Sequence, residues 1–106
     1  MRVYASLITG NLYLHKDGED CNINICAVEY VLASCPVSAE RKSKEKFIKN
    51  LSKTGEVSQA DLVVEKLQTT RFRALWANTA FWTYSSDDEL KDKAIKETIN
   101  WHRYIK

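Results

Sequence analysis

The chain has 106 residues, of which 44% are hydrophobic and 28% charged, with three glycines and one proline. This is the size of one domain, and the composition excludes both a disordered chain and a linker-rich one. No apolar run approaches the ~18 residues of a membrane span, and Met1 to Ser6 lack the charged start and apolar stretch of a secretory signal, so a cytoplasmic protein without a membrane partner is expected. A net charge of +2 is too small to argue for nucleic acid.

The three cysteines, Cys21, Cys26 and Cys35, are odd in number and form no C-x-x-C pair. They read as reduced thiols. Cys21 and Cys26 differ in strand parity and would point to opposite faces, so neither a metal nor another cofactor is expected.

Two turn signals divide the N-terminal region, Gly10-Asn11 and Asp17-Gly18. Two-residue loops at both predict a three-stranded antiparallel meander over residues 2–27. Its first hairpin pairs Leu7 with Leu14, and its second pairs Leu14 with Cys21, Leu12 with Ile23 and His15 with Asp20. These registers gather Val3, Ala5, Leu7, Leu12, Leu14, Cys21, Ile23 and Ile25 on one buried face and leave Tyr4, Ser6, Ile8, Tyr13 and His15 on an open one.

From Cys26 to Cys35 the apolar run fits a short helix or a strand, and a helix is preferred. Pro36 ends it, Ser38 is a suitable N-cap, and Gly55 closes a helix over 39–53 with a thin apolar face of Phe47, Ile48 and Leu51. Behind Ser58, apolar residues recur with helical period at Ala60, Val63, Val64, Leu67, Ala74, Leu75, Phe81 and Trp82, which predicts a helix over 59–83. The competing reading is a hairpin turning at Ala77-Asn78, because Thr69 to Arg73 and Thr79 to Tyr84 are rich in β-branched and aromatic residues. Ser86 and Glu89 then open a helix over 87–105, whose inner face is Leu90, Ala94, Ile95, Thr98, Ile99, Trp101 and Ile105. The expected fold is therefore one two-layer α+β domain, an N-terminal β-meander packed against about three helices.

Three constellations are candidates for function. Lys42, Lys46, Lys49 and Lys53 share a narrow arc of the 39–53 helix and suit a row of phosphates or an acidic partner, although a solvated helix back has the same pattern. Arg71 and Asn78 interrupt the inner stripe of the 59–83 helix, where an unpaired arginine is costly, and Phe72, Trp76 and Trp82 lie around them. This combination matches an aromatic and arginine-rich binding hot spot, although core packing explains most of the aromatic density and a helix ending before Arg71 would place Arg71 and Asn78 on the surface. His15 across from Asp20 has the orienting half of a general-base pair, with no G-x-S-x-G, phosphate-binding glycine loop or second carboxylate to complete it.

The sequence thus points first to a non-enzymatic binding protein, an inhibitor, adaptor or regulatory subunit that docks on a protein partner or on a second copy of itself. A nucleic-acid-binding regulator using the lysine stripe with Arg71 and Arg73 is the alternative, and a small hydrolase or nuclease centred on His15 is third. Small chains rich in Lys, Asn and Ile are common among accessory proteins of bacteriophages and mobile elements, an association of composition alone.

Overall fold

The computed structural model describes residues 1–53, 56–77, 80–84, 88–102, 104 and 105, with backbone alone at Lys16, 80–84 and 88–90. Strand β1 (Arg2–Lys16) and strand β2 (Glu19–Ala33) form one long antiparallel hairpin. The turn is Asp17-Gly18, with φ of 54° and 80°, the paired positive values that let a two-residue loop follow the strand twist. Its register is the expected one, with Leu14 across from Cys21, Leu12 from Ile23 and His15 from Asp20.

Gly10-Asn11 is not a turn, and β1 runs straight through it. Strand β3 (Glu56–Thr70) crosses so close here that a Cβ on Gly10 would overlap the Asp61 carbonyl oxygen. The glycine therefore marks a close backbone approach at φ 149°, the other meaning of an isolated glycine in a strand pattern. The expected pairing of Leu7 with Leu14 is replaced by Leu7 with Val28, and the segment 26–35 is largely strand rather than helix.

Without a chain reversal, side chains of β1 keep alternating. Val3, Ala5 and Leu7 join Cys26, Val28 and Tyr30 on one face, whereas Ile8 and Leu12 join Ile25 and Ala27 on the other. Tyr4 and Ser6, expected on an open face, are buried.

The segment expected as a helix over 59–83 is strand β3, a 3-10 turn (Phe72–Trp76) and strand β4 (Ala80–Tyr84). It is not a hairpin either, because β3 pairs with β1 and β4 with β2, in the order β3-β1-β2-β4. Register shifts at Tyr13/Leu14 and Leu7/Ile8 leave Ser58 and Glu65 as extra residues in β3. The half-buried apolar positions Val57, Ala60, Leu62, Val64 and Leu67 are consequently spaced by three at each bulge and by two between. This spacing imitates a helical period.

Helix α1 (Pro36–Leu51) starts earlier than expected, with Pro36 in its first turn, where the missing N–H is no loss. It packs through Ala39, Phe47 and Leu51 on the face of Ile8, Leu12, Ile25, Tyr4 and Val31. Helix α2 (Asp88–Trp101) and the 3-10 turn cover the opposite face, where Ala74, Ala94 and Ile105 meet Val3, Ala5 and Val28. Helical elements thus lie on both sides of the sheet, and the expected two layers are three. The antiparallel sheet and the α+β class are as expected.

Glu65, the bulge residue of β3, accepts hydrogen bonds from Thr9 Oγ1 and Lys91 Nζ, both at 2.8 Å, which joins β3 to β1 and α2. Lys91 first and Thr9 second hold its carboxyl below the ordinary range. Among the described residues no helix is long and apolar enough to cross a membrane.

Candidate functional site

The 3-10 turn buries only Ala74 completely, with Leu75 packed partly behind it. Three residues per turn leave Phe72, Arg73 and Trp76 on the outside. Trp76 is 82% exposed and Phe72 61%. On the same face of the sheet, Ile105 is buried beyond the end of α2 and Gln68 Nε2 donates to the Tyr104 carbonyl at 3.0 Å. These two anchors bring the end of the chain alongside the turn, and Trp101, 73% exposed, stands at the last residue of α2.

Between the two elements lies a cleft of about 360 Å³ lined by Tyr30, Arg73, Trp76, Ala77, Trp101, His102 and Tyr104. Its floor is tied together: the Tyr30 hydroxyl shares a 2.9 Å hydrogen bond with His102 Nδ1, and the Tyr30 ring meets Tyr104 edge-on with centroids 5.7 Å apart. Burial pushes the Tyr30 hydroxyl up to about 12, with Tyr104 and Glu29 adding to the effect, and burial also lowers the His102 imidazole. Both are neutral near pH 7, so Arg73 provides the positive charge among the described lining residues. Arg73 has no carboxylate within ion-pair distance among the described residues. Two largely exposed tryptophans beside an exposed arginine are costly to leave in water and form the composition of a binding hot spot.

Of the residues singled out from sequence, Trp76 lines the cleft, whereas Arg71 and Phe72 are exposed on the same turn but are not among the described lining residues. Arg71 is not buried within a helical stripe, because no helix passes through it. Asn78 lies outside the described residues, and for Trp82 only the backbone is described, paired with Cys26.

The lysines are elsewhere, Lys42, Lys46 and Lys49 on α1 across the sheet and Lys53 just past its end, and they do not act as one stripe. Lys46 Nζ donates to the Tyr30 carbonyl at 2.6 Å and Lys42 Nζ to the Leu32 carbonyl at 3.2 Å, in the part of β2 that β4 does not reach. Four residues of helix rise roughly 6 Å and two residues of strand about 6.7 Å, so the i, i+4 lysines match alternate carbonyls. They cover a sheet edge, a structural task. Lys46 also stands 3.7 Å from the Glu29 carboxylate, which is 1% exposed. Lys49 and Lys53 remain exposed.

His15 Nδ1 and Asp20 Oδ1 lie 2.7 Å apart as the register predicted, at the exposed end of the β1–β2 hairpin. Exposed pairs of this kind contribute little to stability.

Sequence reasoning missed Tyr30, Trp101, His102 and Tyr104. Trp101 was assigned to the inner face of a helix running to 105, but the helix stops at 101 and the chain turns back through the Ile105 N–H to His102 carbonyl bond. The paired aromatics at 101 and 104 near a helix end were the available signal. Compared with protein-family models, curated proteins and solved structures, the chain matches none.

Proposed function

We propose that this protein is a non-enzymatic binding module that docks on a larger protein through the face made by Arg73, Trp76 and Trp101, and so acts as an inhibitor, adaptor or regulatory subunit. The observation that carries the reading is the exposure of Trp76 and Trp101, at 82% and 73%, both lining one cleft. Tryptophan and arginine around a preformed hollow are the residue types that dominate binding energy at protein interfaces. The separation of the α1 lysines from Arg71 and Arg73 favours this over the nucleic-acid reading, since a phosphate track needs its cations on one surface. Three cysteines without a disulfide suit action in the reducing cytoplasm.

The test is capture from an extract of the native host, treated with nuclease, using the intact chain, Trp76→Ala with Trp101→Ala, and Lys49→Glu with Lys53→Glu as baits. The reading expects a protein retained by the first and third and lost by the second. Retention by all three baits, or loss of all material after nuclease treatment, contradicts it.

A further inference from the structure

The cleft has a charge pattern that narrows what enters it. Its walls are aromatic, its floor is the neutral Tyr30–His102 pair, and the one guanidinium among the described lining residues, that of Arg73, faces no carboxylate among the described residues. We propose that the cleft is a recognition pocket for a carboxylate-bearing residue of the partner protein, with Arg73 binding the carboxylate and Trp76, Trp101 and Tyr104 enclosing an aromatic or aliphatic side chain beside it. This inference rests on the docking reading above and specifies its chemistry.

Three observations support this occupant. Arg73 is exposed and has no carboxylate within ion-pair distance among the described residues, so its guanidinium can offer two parallel N–H donors to an incoming carboxylate. The volume of about 360 Å³ lies at the small end of ligand pockets, enough for one large side chain and not for an extended chain. A single-stranded nucleic acid needs successive cations along its backbone, whereas Lys42 and Lys46 are bound to β2 carbonyls on the far side of the sheet.

The probe is N-acetylphenylalanine, which carries a carboxylate and an aromatic ring, compared with its uncharged amide and with an oligothymidylate. The readout is the indole N–H signals of Trp76 and Trp101 in a 15N-labelled sample of the full chain, assigned by Trp76→Phe and Trp101→Phe. The acid is expected to shift both signals saturably at millimolar concentration, and the amide to require at least about ten times more, which corresponds to about 1.4 kcal/mol. Arg73→Gln should erase that difference while thermal unfolding stays unchanged, because Arg73 is exposed. Equal titrations by acid and amide would overturn the pocket, as would saturation by oligothymidylate at a lower concentration than the acid.

The two proposals fail differently. A captured protein that is lost with Trp76→Ala and Trp101→Ala yet kept by Arg73→Gln leaves docking intact and overturns the carboxylate pocket. Acid binding to the cleft together with no protein retained from the extract overturns the protein source, and with it the docking reading.

Discussion

The Tyr30 hydroxyl of strand β2 lies 2.9 Å from His102 Nδ1, so an inner strand of the sheet is tied directly to the segment that follows α2. Burial sets the sign of its response to pH. His102 protonates below its ordinary 6.5 in the native state, whereas the unfolded chain takes up that proton first. Its contribution to stability is complete above about pH 6.5 and declines as pH falls through the native value. On the alkaline side the unfolded chain ionises Tyr30 near 10.0 while the native hydroxyl waits until about 12, so stability declines again between them. Thermal midpoints followed against pH should show a shallower acid-side decline in His102→Asn and a shallower alkaline decline in Tyr30→Phe. A His102→Asn profile parallel to that of the unaltered chain between about pH 7 and 5 would contradict the assignment.

Gly10→Ala is expected to destabilise the protein by at least about 3 kcal/mol in denaturant unfolding, because the new methyl group meets the Asp61 carbonyl and stands 2.9 Å from Leu62 Cα. Gly18→Ala is the control. It also has positive φ, 80°, but nothing lies within 4 Å, so only local backbone strain of ~1–2 kcal/mol is expected. Equal effects would mean that the crossing of β1 and β3 is looser than described.

Lys46→Met should cost stability as an internal change does, whereas Lys49→Met should fall within about ±0.5 kcal/mol. Removing Lys46 takes the ammonium from the Glu29 carboxylate and a donor from the Tyr30 carbonyl. Loss of one partner of a buried pair costs ~3–5 kcal/mol, and the partial exposure of Lys46 places this case toward or below the lower end. Indistinguishable unfolding of the two variants would return all four lysines to a solvated surface.

Glu65→Gln removes the charged acceptor shared by Thr9 and Lys91. Because its carboxyl is held below the ordinary 4.5, the ion contributes stability above that pH and loses it as pH falls through the native value. The stability difference between the variant and the unaltered chain should therefore shrink on acidification, as followed by urea unfolding across that range. A difference that grows toward acid would contradict the pairing.

These residues also show where sequence reasoning held and where it failed. Asp17-Gly18 specifies its turn locally, through two positive φ values, and the register of the adjoining strands follows. Gly10 carries the same letter for a reason 51 residues away, the carbonyl of Asp61, which no local pattern reveals. Bulges at Ser58 and Glu65 depend on the partner strand, and they turned a period of two into an apparent helical one. Composition singles out Arg71, Phe72 and Trp76, and all three are exposed, although the element beneath them is a 3-10 turn and not the expected helix. Tyr30 reaches the cleft through tertiary packing, which no local pattern reveals.

The most direct test of the central claim pairs two measurements on Trp76→Ala with Trp101→Ala: thermal unfolding of the free protein, and calorimetric affinity for the protein recovered from the nuclease-treated extract. Since both indoles are largely exposed, 82% and 73%, the unfolding midpoint should hardly move, while affinity should fall at least about 100-fold, the combined effect expected of two hot-spot side chains. A large fall in the unfolding midpoint with affinity preserved would show that the two tryptophans serve the fold and that the partner binds elsewhere.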